Sequence, residues 1–351
     1  MSATETAGST SAAVNESVVV TGAAGWLGEN LMRTLAPERA QIKALVRDER
    51  EAALVDVLSP GVTAVIGDVR DPAAIAKVFE GTESPTVFHT AGVIHATTGV
   101  REFFDVNTGG TELVLDGAKR AGAAKVVHVS SNSPFGANPT PDDVFTEDSP
   151  FNPYMSYGAS KLEAEQIAQR YASHGDLDVV IVRPPWFYGP WQPARQTQFL
   201  RTVRRGRFPM VGDGTQRRSM VYTGNLVEGL LCAERADVPS GSAYWIADAE
   251  PYALADIFAG IREAFVAEGY EVTEGRIRIP RIAAQLAEFC DGRLQALGKY
   301  SQGMHVMGEL KDTIACDISR ARAEIGYDPQ VALVEGMRAS IRWCVEHGEA
   351  L

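Results

Sequence analysis

Tyr157 and Lys161 stand four residues apart in Tyr-Gly-Ala-Ser-Lys, a spacing that puts a phenol and an ammonium on one face of a helix. A phenol titrates near ~10, and a close cation lowers that by roughly 1–3 units, towards useful proton transfer at neutral pH. The pair reads as an acid/base catalyst. With ten tyrosines and seven lysines in 351 residues, chance alone supplies the pattern about 0.2 times, so its surroundings must carry the assignment.

Those surroundings begin with a glycine loop. Gly22, Gly25 and Gly28 follow the apolar run 18–21 and open a helical stretch through Leu35, with Trp26 and Leu27 inside the loop. Glycines here let the backbone turn and approach a pyrophosphate, whose charge is stabilised by free N–H groups and the positive end of the helix dipole. About twenty residues on, the residue ending the second strand selects the cofactor: an acid bonds the ribose of NAD, a guanidinium pairs with the 2′-phosphate of NADP. Arg47 stands there, which favours NADP(H) over NAD. A solvated strand-end charge is the bland alternative, and Asp48 serves the ribose in a shifted register. Asp68, in Gly67-Asp68-Val69, either contacts the adenine amino group or caps the helix that starts at Pro72.

Apolar runs at 18–21, 42–46, 63–66, 86–89, 125–130 and 178–183 alternate with helix-like segments. That alternation predicts an α/β fold, a doubly wound parallel sheet of the Rossmann type, since parallel neighbours need helical crossovers. A last strand at 244–247 rejoins the sheet. Helical patterns at 256–268, 281–297 and 331–347 form a smaller C-terminal substrate-binding lobe. Expected boundaries are a disordered tail over 1–16, a dinucleotide-binding domain over 17–185 plus 221–248, and the lobe over 186–220 plus 249–351.

The bulk numbers exclude several classes. A 45% hydrophobic content rules out global disorder, and a net charge of −12 argues against nucleic-acid and anionic-membrane partners. Cys232, Cys290, Cys316 and Cys344 lack metal-ligand spacing, so no metal is expected and all four are read as reduced, buried thiols. Residues 1–16 lack the basic start and apolar run of a signal peptide, and no stretch is long enough to span a membrane, so a cytoplasmic location is expected.

Taken with Ser130-Ser131 at the carboxyl end of the fifth strand, these pieces resemble the extended short-chain dehydrogenase/reductase family, the NAD(P)-dependent epimerase/dehydratase superfamily. The resemblance runs from Val18 to Trp343. It rests on Thr-Gly-Ala-Ala-Gly-Trp-Leu-Gly at 21–28, Gly-Asp-Val at 67–69, Phe-His-Thr-Ala-Gly at 88–92, Asn107, Val-Ser-Ser at 129–131, Tyr-Gly-Ala-Ser-Lys at 157–161 and Arg-Pro-Pro-Trp-Phe-Tyr-Gly-Pro at 183–190. The resemblance implies that Ser131, rather than Ser130, bonds the substrate oxygen, that Tyr157 exchanges its proton, and that Lys161 lowers the phenol pKa and bonds the nicotinamide ribose. It also implies that Asn107 supports the site, with a buried structural amide as the alternative. Val69, His89, Ala91, Gly92 and Pro184 would line the cofactor, His89 as packed structure rather than as an acid or base. A homodimer through the helices bearing Tyr157 and Asn107 is the expected assembly.

For the substrate the residues divide. Arg218, in Gly-Asp-Gly-Thr-Gln-Arg-Arg, resembles the arginine that nucleotide-sugar epimerases aim at a diphosphate; a surface arginine is the alternative. Trp186 stands where those enzymes carry asparagine, the stretch 307–312 lacks their Arg-x-Gly-Asp-like element, and 241–251 looks like the 3β-hydroxysteroid dehydrogenase-like branch. An aromatic edge of Trp186, Phe187, Tyr188 and Trp191 suits an apolar ring substrate, if it is not simply core. Ser133 opens a Pro-rich loop, 133–156, expected to overhang the site and gate it. Ile282, Leu286, Phe289, Leu294 and Leu297 read as the inward face of a packing helix, with a lipophilic lid as the alternative. The reading is reversible hydride transfer at a secondary alcohol or ketone carbon of a small-molecule substrate, sterol-like or another apolar alcohol. The alternative is a nucleotide-sugar epimerase or dehydratase with tightly bound NAD. A non-enzymatic dinucleotide sensor on the same fold is disfavoured, because Tyr157 and Lys161 are both kept.

Overall fold

A computed structural model describes residues 15–351. Its centre is a sheet of β1 (Ser17–Thr21), β2 (Gln41–Val46), β3 (Val62–Ile66), β4 (Thr86–His89), β5 (Lys125–Val129) and β6 (Val179–Arg183). Six short strands follow β6 outside that sheet or at its edge: β7 (Trp186–Tyr188), β8 (Pro209–Val211), β9 (Arg217–Arg218), β10 (Met220–Tyr222), β11 (Ala243–Trp245) and β12 (Tyr252–Ala253), and then comes β13 (Ile277–Ile279). The sheet order is β11-β6-β5-β4-β1-β2-β3, and every neighbouring pair is parallel. Strand order reverses between β1 and β4, which opens the crevice where ligands of such sheets bind.

Both sheet faces are covered, and the strands record it. Val18 and Val20 point into one apolar core while Val19 points into the other, the two-residue period of a strand buried on both sides. The covering helices are α1 (Trp26–Leu35), α2 (Glu49–Asp56), α3 (Pro72–Phe79), α4 (Arg101–Phe103), α5 (Gly110–Arg120) and α6 (Met155–Ser173). A π-helical stretch, Phe104–Gly109, joins α4 to α5. Beyond β6 come α7 (Ala194–Arg204), α8 (Thr223–Arg235), α9 (Leu254–Ala267), α10 (Arg281–Ala296), α11 (Gln302–Glu309), α12 (Ser319–Ile325) and α13 (Leu333–Glu346). A third core, built on Tyr188, Phe208, Phe258 and Ile341, holds α7, α9 and α13 together.

Several expectations are corrected. Residues 1–14 of the expected tail lie outside the described residues, but Asn15 and Glu16 are tied down: the Asn15 amide donates to the Ser84 carbonyl at 2.6 Å and the Gln41 N–H donates to the Glu16 carbonyl at 3.1 Å. Asp71, not Asp68, caps α3 by accepting from Ala73 N–H, with Pro72 in the first turn. Cys290 is exposed, whereas Cys232, Cys316 and Cys344 are buried; all four are free. The loop 133–156 is stapled rather than free to gate. Asn138 exchanges hydrogen bonds with Ala315, Phe145 N–H donates to the Ala315 carbonyl at 2.7 Å, and Arg217 donates to the Pro141 and Asp143 carbonyls.

The largest correction concerns α10. Ile282, Leu286, Phe289 and Leu297 face solvent and Leu294 is only partly buried, while the buried positions are Ala284, Asp291 and Gln295. The polar residues face inward because they have partners there: Asp291 bonds Gln295 and His305, and Gln295 accepts from the Ser156 N–H at the start of α6.

Candidate active site

The glycine turn joins β1 to α1 at the strand reversal. Gly22 has φ +72°, and a side chain there would press within 2.8 Å of the Ala91 backbone; a Cβ on Gly28 would meet the Gly22 carbonyl at 2.0 Å. Both positions require glycine. Gly25 starts α1 with no side-chain cap, so the first-turn N–H groups are left to a ligand. This cradle fits a dinucleotide pyrophosphate. Leu27 is buried beneath it, and the Trp26 indole turns away, donating to the Pro190 carbonyl at 2.9 Å. The buried Val69 packs against Gly110, where a Cβ would come within 2.8 Å of its side chain, and Pro184 is buried just beyond β6.

At the outer end of β2, Arg47 is 82% exposed on its side chain and pairs with Glu51, whose carboxylate raises the guanidinium pKa. Asp48 caps α2 through Glu51 N–H. Asp68 is held by Arg70, which keeps its carboxyl below the usual range.

Ser131, Tyr157 and Lys161 converge where β5 meets α6. The two serines separate by their partners: Ser130 is buried and donates to Glu165 at 2.5 Å, which also forms a buried ion pair with Arg183. Ser131 accepts from Ser133 N–H at 3.2 Å and is the group favouring ionisation of Tyr157. The electrostatics reverse the sequence expectation. Lys161 donates to the Val129 carbonyl at 2.8 Å, and burial lowers its pKa to about 8. Burial pushes the Tyr157 phenol up to about 12, Ser131 opposing and Glu309 adding to the rise. Desolvation is the largest cause of both shifts.

Asn107 lies in the π-helical stretch and is buried. Its amide accepts from Val93 N–H at 2.7 Å and donates to the Val93 carbonyl and the Ser160 hydroxyl, each at 3.0 Å. It thereby ties the segment after Ala91 and Gly92 to α6, a positioning role; local helix irregularities of this kind recur at functional sites. The His89 ring is not available to a ligand: its nitrogens meet Thr21 and Thr111 at 2.7 and 2.9 Å, and burial drops its pKa to about 3.

Sequence reasoning missed the outer wall. Tyr300 hydrogen-bonds His95 at 2.8 Å across 205 residues of sequence, and Phe103 contacts both Tyr157 and Tyr300, with ring centroids 5.8 and 5.1 Å away. Arg195 at the start of α7 lies near His95 and Tyr300, and burial with that cation holds His95 down to about 4. No motif announced these residues, which come from separate segments of the chain; Tyr300 lies between α10 and α11. Of the predicted aromatic edge, three members turn elsewhere: Phe187 against Trp26, Tyr188 onto Asp248, and Trp191 under Arg33. Trp186 is half-buried and lies tilted against Phe199, ring centroids 5.4 Å apart. Arg218 is buried and pairs with Glu309 at 3.5 Å, also donating to its backbone carbonyl. Among the described residues no group of three or more His, Cys, Asp or Glu could hold a metal, and no helix is long and apolar enough to cross a membrane.

A helix carrying tyrosine and lysine against the carboxyl edge of a parallel sheet, beside a glycine turn, defines an enzyme of the extended short-chain dehydrogenase/reductase class. Residues 18–247 match the model of the NAD dependent epimerase/dehydratase family, and the chain belongs to that family. The uncharacterized protein y4nL of Sinorhizobium fredii is 38% identical over 345 residues, 95% of this chain and 96% of that one. The 4-hydroxy-2-methyl-3-oxo-4-farnesyl-3,4-dihydroquinoline-1-oxide ketoreductase of Stigmatella aurantiaca is 29% identical over 324 residues, 91% of this chain and 94% of that one. Among solved structures, the dTDP-glucose 4,6-dehydratase DesIV of Streptomyces venezuelae, with NAD and TYD bound, superposes with a TM-score of 0.73 at 24% identity, over 94% of this chain and 97% of that one. That likeness is one of fold.

Proposed function

We propose that this enzyme catalyses reversible oxidoreduction at a secondary alcohol or ketone carbon of an apolar, ring-bearing substrate, closest to the 3β-hydroxysteroid dehydrogenase-like enzymes. The bound nicotinamide cofactor supplies or accepts the hydride. Ser131 hydrogen-bonds the substrate oxygen, Tyr157 gives it or takes from it the proton, and Lys161 holds the ribose side of the cofactor while orienting on the Val129 carbonyl. Asn107 keeps the 91–93 segment in register with α6. Trp186, Ser133, Phe103 and Tyr300 form the substrate wall.

The observation that carries this reading over a nucleotide-sugar epimerase is the pairing of Arg218 with Glu309. A guanidinium already neutralised by a carboxylate is a poor diphosphate ligand, because the new anion must displace an existing charge-assisted pair. The Stigmatella relative, named for ketoreduction of a farnesylated ring compound, supports the same direction. Arg47 supports NADP(H) over NAD: once turned from Glu51, its exposed guanidinium reaches a 2′-phosphate. The same reading pairs two copies through the outer faces of α5 and α6 and places the enzyme in the cytoplasm.

The test is to denature the purified protein, identify any released nucleotide, and titrate the emptied or nucleotide-free protein with NADPH and NADH. The proposal expects no stoichiometric NAD, tighter binding of NADPH, and loss of that preference in Arg47→Ala. Stoichiometric retained NAD with turnover of a nucleotide sugar would sink it.

A further inference from the structure

Most surface helices bury their apolar stripe and show water their charges. α10 does the reverse. Ile282 is 73% exposed, Leu286 62%, Phe289 60% and Leu297 76%, and their spacing aligns them along one side of the helix. The opposite side carries Glu288, Asp291 and Gln295. These are not free to rotate outward: Lys311 meets Glu288 at 3.0 Å, His305 meets Asp291 at 3.0 Å, and Gln295 holds Ser156 N–H at 3.0 Å. The apolar stripe is therefore locked in the outward orientation by the contacts that close the wall of the active site.

Along α10 and the strand leading into it, the exposed charges are of one sign, although Glu271 and Glu274 just before that strand are exposed acids. Between residues 276 and 299 every exposed charged side chain is basic: Arg276, Arg278, Arg281, Arg293 and Lys299. Of the two acids of that segment, Asp291 is buried and Glu288, 32% exposed on its side chain, is paired with Lys311. Arg293 lies over the Phe289 ring at 5.2 Å, its stem along the stripe and its charge free to reach outward, as a side chain does at an apolar–polar boundary. This basic, apolar face sits on a chain whose net charge is −12, so the global balance that argues against an anionic membrane does not describe it.

We propose that α10 docks this enzyme on the surface of an anionic lipid bilayer, lying in the plane of the interface with Ile282, Leu286, Phe289 and Leu297 among the acyl chains and the flanking basic residues against the headgroups. Charge complementarity selects this occupant over a second copy of the acidic chain. The stripe is too short and one-sided to span, and it anchors rather than crosses. The turn after α10 also accepts the Val100 N–H at the Gly298 carbonyl, 3.1 Å, and leads directly into Tyr300, so docking sets the outer wall of the active site beside the membrane. An apolar substrate dissolved in lipid would enter from that side. The docking itself does not rest on the substrate reading, since it is measured without turnover.

The experiment is flotation of the full-length protein with vesicles of phosphatidylcholine alone and of phosphatidylcholine mixed with phosphatidylglycerol. Expected is recruitment to the anionic vesicles at least tenfold above the neutral ones, weakened by high salt. The double variant Leu286→Glu/Phe289→Glu should lose at least tenfold of that binding while keeping the parent melting temperature and NADPH affinity. A second variant, Arg278→Glu/Arg293→Glu, should lose the preference for anionic lipid. Absence of parent binding to both vesicles overturns the proposal, as does undiminished binding by the first variant. So does dissociation of a parent oligomer by Leu286→Glu/Phe289→Glu without lipid, which would assign the face to a second copy.

Discussion

Arg218 and Glu309 meet at 3.5 Å in the wall of the site, 91 residues apart in the chain, with the guanidinium also donating to the Glu309 carbonyl. Four strands and three helices separate them in sequence, so the pairing is a product of the fold rather than of a local motif. Its consequence is electrostatic: the arginine that the family resemblance would aim at a diphosphate is already matched, and the matching carboxylate raises the Tyr157 pKa.

Glu309→Gln should therefore do two things. Calorimetric titration should show UDP or pyrophosphate binding at least tenfold more tightly than in the parent, because the guanidinium loses its carboxylate partner, a change on the order of 1.4 kcal/mol or more. The alkaline limb of the pH–rate profile should move downward, since removing a nearby negative charge eases ionisation of the phenol. Unchanged affinity for both anions would show that Glu309 does not mask Arg218.

Ser130 and Ser131 are adjacent, yet they have unlike partners, Glu165 for Ser130 and the Ser133 N–H for Ser131. Ser131→Ala and Tyr157→Phe should each lower turnover, Tyr157→Phe by roughly two orders of magnitude or more, with NADPH affinity nearly intact. Ser130→Ala removes a hydrogen bond to the buried Glu165 and should cost about 1–3 kcal/mol in urea unfolding while leaving turnover close to the parent. Swapped phenotypes would transfer the substrate contact to Ser130.

The sequence disclosed the parts of the site whose geometry is local. Strand-end positions follow from apolar runs such as 18–21, Gly22 and Gly28 follow from backbone that no side chain can enter, and Tyr157 and Lys161 share a helix face by spacing alone. What stayed hidden depends on packing. Tyr300, His95 and Arg195 come from three distant segments, and none carries a pattern of its own. The periodicity of 282–297 defines a stripe, but a period cannot say which side meets the core; Ser156 N–H and His305 decide that by offering partners to Gln295 and Asp291. That Tyr157 and Lys161 share a face was likewise legible, while the burial that raises the phenol and lowers the ammonium was not.

That burial makes a separate prediction for Lys161. Its pKa falls from 10.5 in ordinary surroundings to about 8 in the folded protein. Below about pH 8 the group is charged in both states, and the folded state bears the desolvation penalty. Between about pH 8 and 10.5 the unfolded chain holds more protons, so stability rises with pH, by up to about 3 kcal/mol across that window. The gain is fully present above 10.5 and lost as pH falls through 8. Lys161→Met removes this titration. Urea unfolding of both proteins at neutral pH and at about pH 10 should therefore show a stability difference that shifts in favour of the parent as pH rises. A difference that stays constant would mean that Lys161 keeps its ordinary pKa, and that its ammonium is free to stabilise the Tyr157 phenolate after all.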